Sequence, residues 1–64
     1  MRLTADQKDE LKGSSPEGVY QSIRQWVREE HDYVDKDELS EALEDAVNAD
    51  LIDERDVKEI SREY

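Results

Sequence analysis

Apolar residues fall into four groups along this chain, and in the second and third they recur at spacings of one, three and four. The second group is the richest. Val19, Tyr20, Ile23, Trp26 and Val27 share one face of a helix, while Gln21, Arg24, Gln25 and Arg28 take the other. The spacing predicts a helix over about 16–30 that forms the centre of the core, with Tyr20 and Trp26 inside it. A third group predicts a helix over about 36–48. Its stripe is Leu39, Ala42, Leu43, Ala46 and Val47, opposite Asp37, Glu41, Glu44, Asp45 and Asn48. A fourth helix, about 54–63, offers Val57 and Ile60, flanked by Leu51, Ile52 and Tyr64. The first, about 5–12, has little beyond Leu3, Ala5 and Leu11 and is expected to be the loosest element, because a helix so short is marginal alone. No segment alternates with period two, so no strand is predicted.

Polar residues mark where these helices start. Thr4 and Gln7 have the spacing of a capping box. The glycines Gly13 and Gly18 and the single proline, Pro16, lie in one short break; Ser15 and Pro16 suit an N-cap and first helical position. Val34-Asp35-Lys36-Asp37-Glu38-Leu39 and Ile52-Asp53-Glu54-Arg55-Asp56-Val57 repeat one start signal. In each, an aspartate caps the helix, an acid stands at its third position, and two apolar residues form a staple across the cap.

Composition makes this patterning necessary. The charged fraction is 44% and the apolar fraction 34%, proportions that favour disorder unless the apolar residues are well placed. Sixty-four residues make one domain, 1–64, and bury too little surface for more than marginal stability. There is no cysteine and one histidine, so neither a disulfide framework nor a cysteine- or histidine-based zinc site is available. The expected fold class is all-α, a compact bundle of three to four short helices. No apolar run has membrane-spanning length and no signal-peptide pattern opens the chain, so a soluble cytoplasmic protein that does not engage a membrane is expected.

Charge changes the picture most. Residues 29–54 hold twelve carboxylates and one base, Lys36, a net −11; the whole chain carries −10. Such a band attracts basic surfaces and repels nucleic acid, which excludes direct nucleic-acid binding. Arg24 and Arg28 are too few for a nucleic-acid footprint and are expected to pair with the band internally. Within the third helix, Glu41 and Glu44 are three apart and Glu41 and Asp45 four apart. Like charges at those spacings oppose helix formation, and no lysine or arginine follows Lys36 in that helix to relieve them. The candidate partner-binding residues are therefore Asp37, Glu41, Glu44 and Asp45, with Glu29, Glu30 and Asp32 extending the face.

Other chemistry is less well supported. Asp32, Asp35 and Asp37 crowd one turn, but Val34 and Leu39 stand where a calcium loop needs oxygen ligands and no glycine lies among them, so no metal site is assigned. His31 reads as a solvated surface histidine, with a pH switch as the alternative. Tyr33 and Tyr64 lie at element ends and should be exposed. No nucleophile stands beside a base and the domain has little room for a water-excluding pocket, so neither an enzyme nor a cofactor is expected.

In size and charge the chain resembles the small acidic inhibitors of phages and viruses, DNA mimics and anti-CRISPR proteins among them. The resemblance lies in composition alone and transfers no residue. It implies a stoichiometric inhibitor acting on the basic surface of a nucleic-acid-binding protein, in the host cytoplasm if the chain is viral. A homodimer is a second association state the sequence permits. The alternatives are a halophile-adapted structural or adaptor domain and an antitoxin-like partner of a basic protein. Salt adaptation would spread acid along the chain, whereas residues 1–28 carry a net +1.

Overall fold

The computed structural model describes residues 2–63, and all statements of structure below concern these. Four helices follow one another: α1 (Ala5–Leu11), α2 (Pro16–His31), α3 (Lys36–Asn48) and α4 (Glu54–Glu63). No strand occurs among the described residues, and the protein is an all-α bundle measuring 27 × 27 × 16 Å. α2 packs against each of the other three helices, and α3 packs against α4. The predicted boundaries of α3 and α4 are those observed. α1 stops one residue sooner than expected and α2 runs one residue further.

The starts of α1, α2 and α3 owe their positions to side-chain caps, whereas at α4 the bond from Asp53 is from its backbone carbonyl, which accepts the Val57 N–H at 3.0 Å. Thr4 and Gln7 close the capping box, each side chain accepting the other's backbone N–H, at 2.9 and 3.1 Å. The Ser15 hydroxyl accepts from the Gly18 N–H at 3.2 Å, and Pro16 follows at a position whose N–H the helix does not use. Asp35 accepts from the N–H groups of both Asp37 and Glu38. It satisfies two otherwise orphaned donors and sets negative charge against the positive helix end. Asp35→Ala should therefore cost about 1–2 kcal/mol, read as a lower urea midpoint; an unchanged midpoint would show that water replaces the cap at no cost.

The helix ends use residues with left-handed backbones. Gly13, after α1, has φ 81°. Asp32 ends α2 at φ 62°, and Asp50 follows α3 at φ 60°. Around Asp50 the Leu51 N–H reaches the Ala46 carbonyl and the Asp50 N–H the Val47 carbonyl, the two bonds of a Schellman motif. Aspartate tolerates this conformation better than most residues but less well than glycine.

The core is a single cluster: Leu3, Leu11, Val19, Tyr20, Ile23, Val27, Leu39, Ala42, Leu43, Ala46 and Ile52. α2 supplies four of these and is the spine that its sequence pattern predicts. α4 buries no residue fully; Val57 and Ile60 lie half-covered against the cluster. Of the staple residues, Leu39 and Ile52 are buried in the cluster and Val34 and Val57 pack against it.

Two expectations need correction. Trp26 packs against the core instead of lying in it, because it stands at the edge of the α2 stripe and only Val19, Tyr20, Ile23 and Val27 face the centre. His31 is not a solvated histidine. It lies one turn beyond Val27 on the same stripe, so its ring is half-buried, 6.2 Å from the Tyr33 ring, and its Nε2 is enclosed with no hydrogen-bond partner. Leu3 and Leu11, which the pattern gives the first segment as apolar residues, are both buried. Tyr33 is 61% exposed, as expected; Tyr64 lies outside the described residues.

Candidate acidic interface

The candidate face is built on α3. At about 100° per residue, the buried positions Leu39, Ala42, Leu43 and Ala46 leave Asp37, Glu41, Glu44 and Asn48 together on the opposite crest, all four exposed. A helix of 13 residues is roughly 20 Å long, so these groups form a ridge along much of one side of the molecule. Glu29, Glu30 and Asp32 are exposed at the end of α2, beside the turn that leads into α3. Asp50, Asp53 and Glu54 are exposed beyond the other end of α3. No charged residue is fully buried anywhere among the described residues, although Asp35, Glu38 and Asp45 of the band are half-buried.

The acids divide by what the helices gain from them. Asp37 and Glu38 lie in the first turn of α3, and Glu54 and Asp56 in the first turn of α4. There a negative charge opposes the positive end of the helix dipole, and stability explains the residue type. Glu41 and Glu44 lie mid-helix among like charges at helical-neighbour spacing. Glu29, Glu30 and Asp32 crowd the end of α2, where the dipole is negative and carboxylates are unfavourable. Arg28 and His31 in that last turn offset this in part, and Glu29 accepts a hydrogen bond from the Gln25 amide at 3.2 Å.

Asp45 stands apart from the other candidates. It lies on the flank of α3 and is half-buried. Its Oδ2 accepts from the Leu3 N–H at 3.0 Å and lies 3.8 Å from the Lys8 ammonium. A base does relieve the acids of α3, then, but it comes from α1 across the fold, which helical spacing cannot reveal. On the other flank, Lys58 of α4 lines a groove with Glu44, Asn48 and Glu54. Arg24 and Arg28 share a shallow groove with Glu29 and Asp32 at the end of α2. The crest is thus acidic and its margins carry scattered bases.

Asp32, Asp35 and Asp37 do not combine with other acids into a group able to hold a metal ion among the described residues. No described helix is long and apolar enough to cross a membrane. No family model matches this chain, and no curated protein and no solved structure matches it.

Two outcomes follow from the charge arrangement. The melting temperature should rise between 0.1 M and 1 M sodium chloride, as the screening length falls from about 10 Å to about 3 Å and repulsion within the band is suppressed. A flat or falling melting temperature would show that the bases at the margins already neutralise it. Asp32→Gly should also raise the melting temperature slightly. It relieves roughly 1–2 kcal/mol of left-handed strain and removes a charge from the negative helix end. Against this stands about 0.5–1 kcal/mol of added glycine entropy in the unfolded chain. A clear loss of stability in that variant would mean that the Asp32 carboxylate serves the fold.

Proposed function

We infer that this protein is a binding protein whose acidic ridge engages the basic, nucleic-acid-binding surface of another protein and blocks it stoichiometrically. The observation that carries this reading is the position of Glu29, Glu30, Asp32, Glu41 and Glu44. All five are exposed, and the helix dipole or like-charged neighbours disfavour a carboxylate at each position, so helix preference alone does not explain the row. A row of carboxylates about 20 Å long offers lysines and arginines what a phosphate backbone offers them, while repelling nucleic acid itself. The turn acids at either end of α3 lengthen the row. In this reading Asp37, Glu41 and Glu44 make the central contacts, Glu29, Glu30 and Asp32 extend them, and no catalytic step is involved. A phage or viral origin, with action in the host cytoplasm, fits the same chemistry.

An adaptor domain would need an exposed apolar surface, and Tyr33 is the one large apolar side chain that is exposed among the described residues. The same charge chemistry would serve an antitoxin against a basic toxin, and the partner's identity separates the two. Capture of partners on the immobilised protein, eluted by a rising salt gradient, tests the reading. A nucleic-acid-binding protein released at moderate salt is the expected outcome. A partner that resists molar salt would overturn the electrostatic reading in favour of an apolar one.

A further inference from the structure

The flank of the ridge is covered by a short element whose apolar anchors are Leu3 and Leu11. α1 is seven residues long, too short to persist as a helix without its neighbours. The polar contacts of residues 3–8 with α3 converge on one Asp45 carboxylate oxygen, which accepts from the Leu3 N–H at 3.0 Å and lies 3.8 Å from the Lys8 ammonium. That ion pair is partly open to solvent, with side-chain exposures of 39% and 26%, so it is weak and easily screened. Arg2, Leu3 and Lys8 line one groove with Glu41, Glu44, Asp45 and Asn48, which brings two bases of this segment beside the acidic crest. The connection to α2 passes through Gly13 at φ 81°, where the chain can swing at little steric cost.

We propose that α1 is a hinged cover on the acidic ridge, with Asp45 as its catch and the turn at Gly13 as its hinge. It opens as a unit while α2, α3 and α4 stay folded. Opening withdraws Arg2 and Lys8 from the flank and frees the Asp45 carboxylate. A basic partner offers Asp45 the same ammonium or guanidinium chemistry that Lys8 supplies, so partner and cover compete for one carboxylate. Leu3 and Leu11 are the apolar anchors that return the cover when the partner leaves. The part of this proposal that concerns the partner rests on the ridge being the binding face; the opening of α1 does not.

Amide hydrogen exchange on the full chain tests both parts. Without any ligand, the amides of residues 8–11 should exchange at least tenfold faster than those of Ile23, Val27 and Leu43, and with a weaker dependence on urea. Asp45→Asn should speed the exchange of 8–11 a further threefold or more and leave the α2 and α3 amides unchanged. Exchange of α1 at the core rate and with the core's urea dependence would overturn the hinge. The second arm uses octalysine as the probe. Octalysine should shift the α3 amides on titration and accelerate exchange in 8–11. Shifts along α3 with unchanged or slower exchange in α1 would overturn the competition for Asp45. An absence of α3 shifts would overturn the ridge as a binding face, and with it the cover's role, whatever the first arm shows.

Discussion

Ile23→Ala will leave little folded protein at room temperature. Ile23 is fully buried on α2, which packs against each of the other three helices, and truncation there removes apolar contacts at the centre of a single small cluster. Such a change costs roughly 2–5 kcal/mol through lost burial and the cavity left behind. A domain of 64 residues has a total stability of about 3–10 kcal/mol, so most of it is consumed. Helical circular dichroism should collapse, or the urea midpoint should fall by more than half. Trp26→Ala is the instructive contrast. Trp26 packs at the edge of the cluster, so its loss should cost less than that of Ile23 despite the larger side chain. An Ile23→Ala protein that melts within a few degrees of the parent would mean that the core is not centred on α2.

The second large effect concerns binding. Glu41→Lys combined with Glu44→Lys should weaken partner binding by roughly 100-fold, about 2.7 kcal/mol, with helicity intact. The reversals turn two crest contacts from attractive to repulsive, and in a steered encounter most of the early loss should appear in the association rate. Folding should not suffer, because the cation introduced at position 41 would meet Asp37 and Asp45 at helical-neighbour spacing, where the parent places like charges. The matched control is Glu10→Lys with Glu63→Lys. Both residues are exposed, both close a helix at the end where a cation is favourable, and the net charge changes equally. If the control weakens binding as much as the ridge variant does, overall charge governs association and the ridge has no special role.

Much of this fold was legible in the sequence because its signals are local. The caps at Thr4, Ser15 and Asp35 and the two staples set the helix starts within a few residues of chain, and the α2 and α3 stripes set the faces that meet. What the sequence left hidden depends on tertiary geometry. Trp26 looked central because periodicity gives a face but not its width. His31 looked solvated because its neighbours in sequence are charged, although its spacing from Val27 already placed it on the buried stripe. Asp45 had the spacing of a ridge acid, and only the path of residues 2–11 over α3 reveals that it holds Leu3 and Lys8. The left-handed backbones of Asp32 and Asp50 were equally concealed, since glycine is the usual marker of that conformation. For the candidate face, the sequence supplied the residues and the fold supplied their sorting. Asp37 sits where the helix dipole favours an acid, whereas Glu44 lies mid-helix three residues from Glu41, and Glu30 lies at the negative end of α2, where a carboxylate is disfavoured.

Competition is the most direct measure of the central claim. A nucleic-acid-binding protein recovered by capture on the immobilised protein would be held at constant concentration with labelled nucleic acid of its preferred kind, and the acidic protein titrated in. The ridge account predicts displacement of the nucleic acid at one equivalent, with the apparent affinity falling as salt rises. A ternary complex that forms without loss of affinity for either ligand would contradict it.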